Sequence, residues 1–168
     1  IVLKIAFLSR STSIADVLVQ ADRIMRPMQI FRGFHHAALA PACALTIGNF
    51  DVVHRGHQAM LALLRNEAQH RGLPATVLTF EPHPREYFAP DSAPARLSTL
   101  REKLEMIADE GVEAAYVGHF NKRFAALSAE EFIERILVGC LRVKHLLIGD
   151  DFRFGAGRRG DFGMLRQS

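Results

Sequence analysis

Two histidines three residues apart, His54 and His57, stand between glycines at the end of an apolar run. The full stretch is Gly48-Asn49-Phe50-Asp51-Val52-Val53-His54-Arg55-Gly56-His57. At helical spacing the two imidazoles share a face, where both can donate hydrogen bonds to phosphate oxygens. Gly56 at a helix start lets an anion approach backbone amides, and Gly48 leaves room where a strand ends. Asp51 is placed to accept backbone amides or to help hold a magnesium nucleotide. The chemistry these types and spacings suit is the handling of a nucleotide's phosphates, and so nucleotidyl transfer. A zinc reading of the His-x-x-His pair lacks a third ligand in the sequence.

The residues around this run are those a phosphate-binding turn needs. Cys43 to Ile47 is a short apolar run with the character of a buried strand. Gln58 to His70 is amphipathic, and a helix is expected over about 56–71, stopped at Gly72 with Pro74 beyond. Further strands are expected at Ala75 to Phe80, Ala114 to Val117 and Lys144 to Ile148. A helix from an N-cap at Ser98 to Asp109, and one from Ser128 to about Gly139, lie between them. In the second, Glu131 follows Ser128 at capping-box spacing. Glu81 to Ala95 reads as a loop punctuated by Pro82, Pro84, Pro90 and Pro94, and Gly149 to Ser168 as irregular and glycine-rich.

Alternating strands and helices imply a Rossmann-like α/β fold, a parallel sheet with helices on both faces. Ligands of such sheets sit beyond the carboxyl ends of the strands. The three most unusual segments, 48–57, 81–88 and 149–160, all follow strands.

At 168 residues the chain is long enough for one domain with a core. Its two cysteines, Cys43 and Cys140, lie far apart without metal-site spacing, which fits a reducing, cytoplasmic setting. The net charge of +3 is mild, and no basic stripe with interleaved aromatics marks a nucleic-acid surface. No apolar run is long enough to cross a bilayer. Residues 1–27 differ in character and form an N-terminal extension to which no structure is assigned, with a domain expected from Met28.

The histidine run resembles the signature of the HxGH nucleotidylyltransferase superfamily. Further segments narrow the resemblance: Leu78-Thr79-Phe80-Glu81-Pro82-His83-Pro84, the helix start Leu127-Ser128-Ala129-Glu130-Glu131-Phe132, and Ile148-Gly149-Asp150-Asp151-Phe152-Arg153-Phe154-Gly155 with Arg158-Arg159-Gly160-Asp161. Together they resemble the adenylyltransferase module of bacterial bifunctional riboflavin kinase/FMN adenylyltransferases, from about Met28 onward. That resemblance implies FMN + ATP → FAD + pyrophosphate, with Mg²⁺ carried on the ATP phosphates. It makes His54 and His57 the catalytic pair. Gly48, Asn49, Phe50, Asp51 and Gly56 would shape the ATP site with them. Pro82, Pro84, Asp151, Phe152 and Phe154 would take the flavin, whose flat apolar ring suits proline and phenylalanine. Packing in the core is the competing expectation for one of the two phenylalanines, and a solvated loop is the expectation for Arg158 and Arg159.

The family pattern usually has Gly where this chain has Val52. Its serine- and arginine-containing ISSTxxR-type segment and its riboflavin kinase domain have no counterpart in these residues, so 28–168 are expected to be an adenylyltransferase domain incomplete at its C-terminus, with the kinase domain absent. Two other readings follow: a flavin- or nucleotide-binding module without turnover, and another HxGH transferase acting on a different phosphate monoester.

Overall fold

The computed structural model describes residues 27–34 and 42–167. The extension expected over 1–27 therefore lies, apart from Pro27, outside the described residues. Five strands form one sheet: β1 (Gln29–Arg32), β2 (Cys43–Ile47), β3 (Ala75–Glu81), β4 (Ala114–His119) and β5 (Val143–Leu147). Their order is β1-β4-β3-β2-β5, and every pairing is parallel. Strand β2 thus lies inside the sheet, between β3 and β5.

Alternation along the strands sorts the helices onto two faces. Leu45 and Ile47 of β2, Leu78 of β3 and Tyr116 of β4 pack with Phe132, Ile133, Ile136 and Leu137. The intervening strand residues face the other way. Ala44 and Ala75 meet Leu64, Val77 meets Leu61 and Ile107, and Ala115 and Val117 meet Leu104. Helices α1 (Arg55–His70) and α3 (Leu100–Asp109) therefore cover one face. The segment from Ala129 to Cys140 covers the other. Among the described residues no helix is long and apolar enough to cross a membrane.

Three local expectations are corrected. The cap of α3 is Thr99 rather than Ser98, so Glu102 stands at the N3 position of a complete capping box. Ser98 is occupied elsewhere, its hydroxyl donating to the Asp51 carbonyl oxygen. The proline loop contains a short helix, α2 (Pro84–Phe88), with His83 as its cap and Glu86 closing a capping box. The segment after β5 is not wholly irregular. It holds a 3-10 turn, Ala156–Arg158, and a helix, Phe162–Gln167. Finally, the domain start expected at Met28 leads straight into a strand, β1.

The helix capped by Ser128 has its expected limits but an unexpected winding. It runs three residues as α-helix and then Phe132–Cys140 as π-helix, ending with Leu141 N–H on the Ile136 carbonyl at 2.9 Å. Its N-terminus is where the segment after β5 docks. The Ala156 amide donates to the Leu127 carbonyl at 2.7 Å. A Cβ on Gly155, at φ +73°, would stand 2.6 Å from the Ala129 nitrogen.

Gly155→Ala should therefore cost on the order of 3 kcal/mol, from left-handed strain plus a backbone clash. Gly157 has φ +65° but open space around it. Gly157→Ala should cost roughly 1 kcal/mol from strain alone. Urea unfolding measures both, and equal losses would contradict the Gly155–Ala129 contact.

Candidate active site

The turn between β2 and α1 is held from β3. The Gly48 amide donates to the Leu78 carbonyl at 3.0 Å, and the buried Thr79 hydroxyl donates to the Asn49 carbonyl at 3.2 Å. Phe50 is fully buried with φ +48°, a left-handed conformation that is uncommon for a bulky residue. Its ring fills the space beside Gly48, where an added Cβ would come within 2.9 Å of it. Gly48 is thus required by Phe50, a different reason from the nucleotide clearance expected of it. Phe50 forms a floor under His57: its ring centre lies 4.9 Å from that of His57.

His54 caps α1. Its Nδ1 accepts the Gly56 amide at 3.1 Å and the His57 amide at 3.3 Å. These are the donors a helix start leaves unpaired. The amides near Gly56 that were expected to meet phosphate are consequently engaged by the His54 ring. The missing Cβ of Gly56 makes room for that ring, whose Cε1 would lie 3.1 Å from it. An Nδ1 that accepts two amides carries no hydrogen, so the neutral ring holds its hydrogen on Nε2. His54 is exposed and presents a donor edge.

His57 is the opposite tautomer. Its Nδ1 lies 2.8 Å from the Val52 carbonyl, which can only accept, so Nδ1 carries the hydrogen. The neutral ring then has a bare Nε2, which becomes a donor only on protonation. Burial lowers the His57 pKa from its ordinary value, against the pull of the Val52 carbonyl, and His54 adds to the lowering. The two rings stack with centres 3.8 Å apart. Val52 is not at positive φ, so its backbone does not require the glycine usual there.

Asp51 accepts backbone amides, but not those of its own turn. Its carboxylate takes Leu97 N–H at 3.0 Å and Ser98 N–H at 3.4 Å. Among the described residues no three His, Cys, Asp or Glu side chains gather as a metal site.

The other expected residues lie at the same end of the sheet. Pro82 and Pro84 are half-buried just past β3, and Asp151 and Phe152 stand past β5, exposed and half-buried respectively. These strands flank β2, so all three segments share the carboxyl edge where the strand order reverses, the usual place for a ligand crevice. Phe154 is a core residue, 6 % exposed, stacked under Phe152 at 5.7 Å and packed on Phe132 at 5.4 Å. Arg158 and Arg159 are exposed. Sequence reasoning gave no role to Thr79 or to Arg96, although Thr79 lay inside one of the recognised runs.

A family model described as FAD synthetase matches residues 36–168. The chain belongs to the FAD synthetase family. It is 54% identical over 143 residues to the bifunctional riboflavin kinase/FMN adenylyltransferase of Escherichia coli K12, covering 84% of this chain and 46% of that protein. The protein of the same name from Haemophilus influenzae is 50% identical over 140 residues, covering 83% and 46%. The chain thus spans about half the length of these curated relatives. A crystal structure of a macrolide-efflux protein from Streptococcus pneumoniae aligns with a TM-score of 0.68 at 24% identity, over 83% of this chain and 47% of that one. At that identity the likeness speaks to the fold alone.

His54→Ala should cost about 1 kcal/mol of stability through loss of the cap. His54→Asn restores an accepting side chain and should recover most of it, although neither variant keeps the Nε2–H. Urea unfolding checks this, and an alanine variant as stable as the parent would contradict the capping role.

Proposed function

We propose that this chain is the adenylyltransferase part of a bifunctional riboflavin kinase/FMN adenylyltransferase. The reaction is FMN + ATP → FAD + pyrophosphate. The observation that carries this reading is the pair of stacked imidazoles, fixed in complementary tautomers at the edge where the proline loop and the Asp151–Phe152 segment also stand. Membership of the FAD synthetase family supports the choice of flavin as acceptor.

In this reading an oxygen of the FMN phosphate attacks the α-phosphorus of ATP. A new P–O bond forms as the bond to the β-phosphate oxygen breaks, and pyrophosphate leaves. The attacking phosphate is already ionised, so no general base is needed. The protein's work is positioning and charge stabilisation. His54 donates through Nε2–H, and His57 donates once it is protonated. Mg²⁺ would enter on the ATP phosphates and offset their charge. The Asp51 carboxylate is taken by two amides, so Asp51 shapes the turn. Pro82, Pro84 and Phe152 offer apolar surface to the isoalloxazine ring, Phe154 supports Phe152, and Asp151 accepts from polar ring atoms.

Purified protein given FMN, ATP and Mg²⁺ should form FAD, detected by chromatography. His57→Ala should lower turnover about a hundredfold or more while leaving FMN binding nearly intact. An equal loss of FMN binding would contradict this division of roles.

A pH dependence follows from the tautomers. Free His57 has a lowered pKa and is neutral at pH 7, whereas its donor form is the cation. ATP should bind with net proton uptake, and its affinity should weaken as pH rises past the lowered pKa of free His57. Calorimetry in buffers of different ionisation enthalpy measures the uptake. Uptake that is unchanged in His57→Gln would assign the proton elsewhere.

A further inference from the structure

A second concentration of charge lies beside the turn, at the base of the proline loop. Arg96 Nη1 and Nη2 donate to the two carboxylate oxygens of Glu81 at 3.1 and 2.7 Å. Its Nε and Nη2 also donate to both oxygens of Glu86. Glu81 is the last residue of β3, and Glu86 lies in α2, on the far side of Pro82 and Pro84. Glu86 also accepts the His83 amide at 3.2 Å, and its pKa is lowered chiefly by the hydrogen bond from Arg96. One guanidinium therefore ties together both ends of the segment that carries the two prolines.

The two residues after Arg96 continue the linkage. They are Leu97 and Ser98, whose amides and hydroxyl hold Asp51 in the histidine turn. Contacts thus run without a break from the proline loop through Glu86, Arg96 and residues 97–98 to Asp51, three residues before His54. Beneath them is a cavity of about 30 Å³, lined by Asp51, His83, Glu86, Arg96 and Lys103 among others. Lys103 is 4 % exposed, and burial lowers its pKa against the pull of the Glu81 and Asp51 carboxylates.

The cavity lining carries Asp51 and Glu86 against Arg85, Arg96 and Lys103, and Arg96 is also paired with Glu81 outside it. Arg96 is committed to two carboxylates rather than left free for a ligand. Exposed ion pairs contribute little to stability unless they are bidentate or networked, and this one is both. Its geometry is that of a brace.

We propose that Arg96 is a positioning residue, whose fork between Glu81 and Glu86 aligns the proline loop with the histidine turn through Asp51. This rests on the adenylyltransferase reading, in which the loop carries the acceptor and the turn carries the nucleotide. Lysine cannot replace the fork, because a single ammonium cannot span two carboxylates bidentately.

The test uses the full protein with Arg96→Met, Arg96→Lys and Glu86→Gln. The readouts are thermal midpoint, FMN and ATP dissociation constants, and steady-state kinetics. All three variants should fold with midpoints near the parent's. FMN should bind about tenfold more weakly in both Arg96 variants, with ATP binding within about twofold of the parent and kcat reduced by roughly tenfold to a hundredfold. Glu86→Gln should reproduce part of the loss, and combining it with Arg96→Met should add little. FMN affinity unchanged in Arg96→Met or, should that variant not fold, in Glu86→Gln would overturn the brace, as would equal losses for FMN and ATP. A parent that binds FMN without forming FAD would sink the transferase reading alone, because FMN affinity still reads the brace. A parent that does neither overturns both.

Discussion

The site depends on one interaction, the acceptance of two backbone amides by the Nδ1 of His54. It satisfies donors at the start of α1 that would otherwise need water or a ligand. It also decides where the hydrogen of that imidazole sits. Three residues on, the Val52 carbonyl makes the opposite choice for His57. Backbone groups of one turn therefore set the edges that two stacked rings would offer to a phosphate: one donates when neutral, the other only when charged. The asymmetry would give the pair a standing donor and a responsive one.

Around that interaction the fold works as a mount. Strand β2 is internal to a parallel sheet, so the turn that follows it is gripped from β3 through Leu78 and Thr79. The buried Phe50 ring supports His57 from below, at the cost of a left-handed backbone. Gly48 and Gly56 are glycines because rings of this same turn occupy the space a side chain would take. The helices on the two faces leave the carboxyl edge open, and the proline loop and the segment after β5 close around it.

Much of this was legible in the sequence, because much of it is local. Strand and helix limits follow from apolar spacing and caps, as at Ser128 with Glu131 and at Gly72 after α1. The histidine turn announced itself by residue type. What sequence reasoning missed depends on distant partners. Ser98 and Thr99 are adjacent and both suited to capping, and the choice falls to Thr99 because Asp51, far back in the chain, claims the Ser98 hydroxyl. Nothing near Phe50 marks its positive φ, and nothing near Phe132 marks the π winding. The four residues of β1 are too few to show an alternation. Phe152 and Phe154 look alike in the sequence, and only packing against Phe132 assigns Phe154 to the core. Arg96 stood in a run of loop residues, and its partners became visible only once Glu81 and Glu86 were brought to it.

The central claim is that the fold fixes the two histidines in opposite tautomers before any substrate arrives. Long-range ¹H–¹⁵N correlation spectra of the histidine side chains, recorded on the free protein near neutral pH, test it most directly. The account predicts His54 with hydrogen on Nε2 and a bare Nδ1, and His57 with hydrogen on Nδ1 and a bare Nε2. A His54 ring protonated at Nδ1, or a neutral His57 protonated at Nε2, would contradict it.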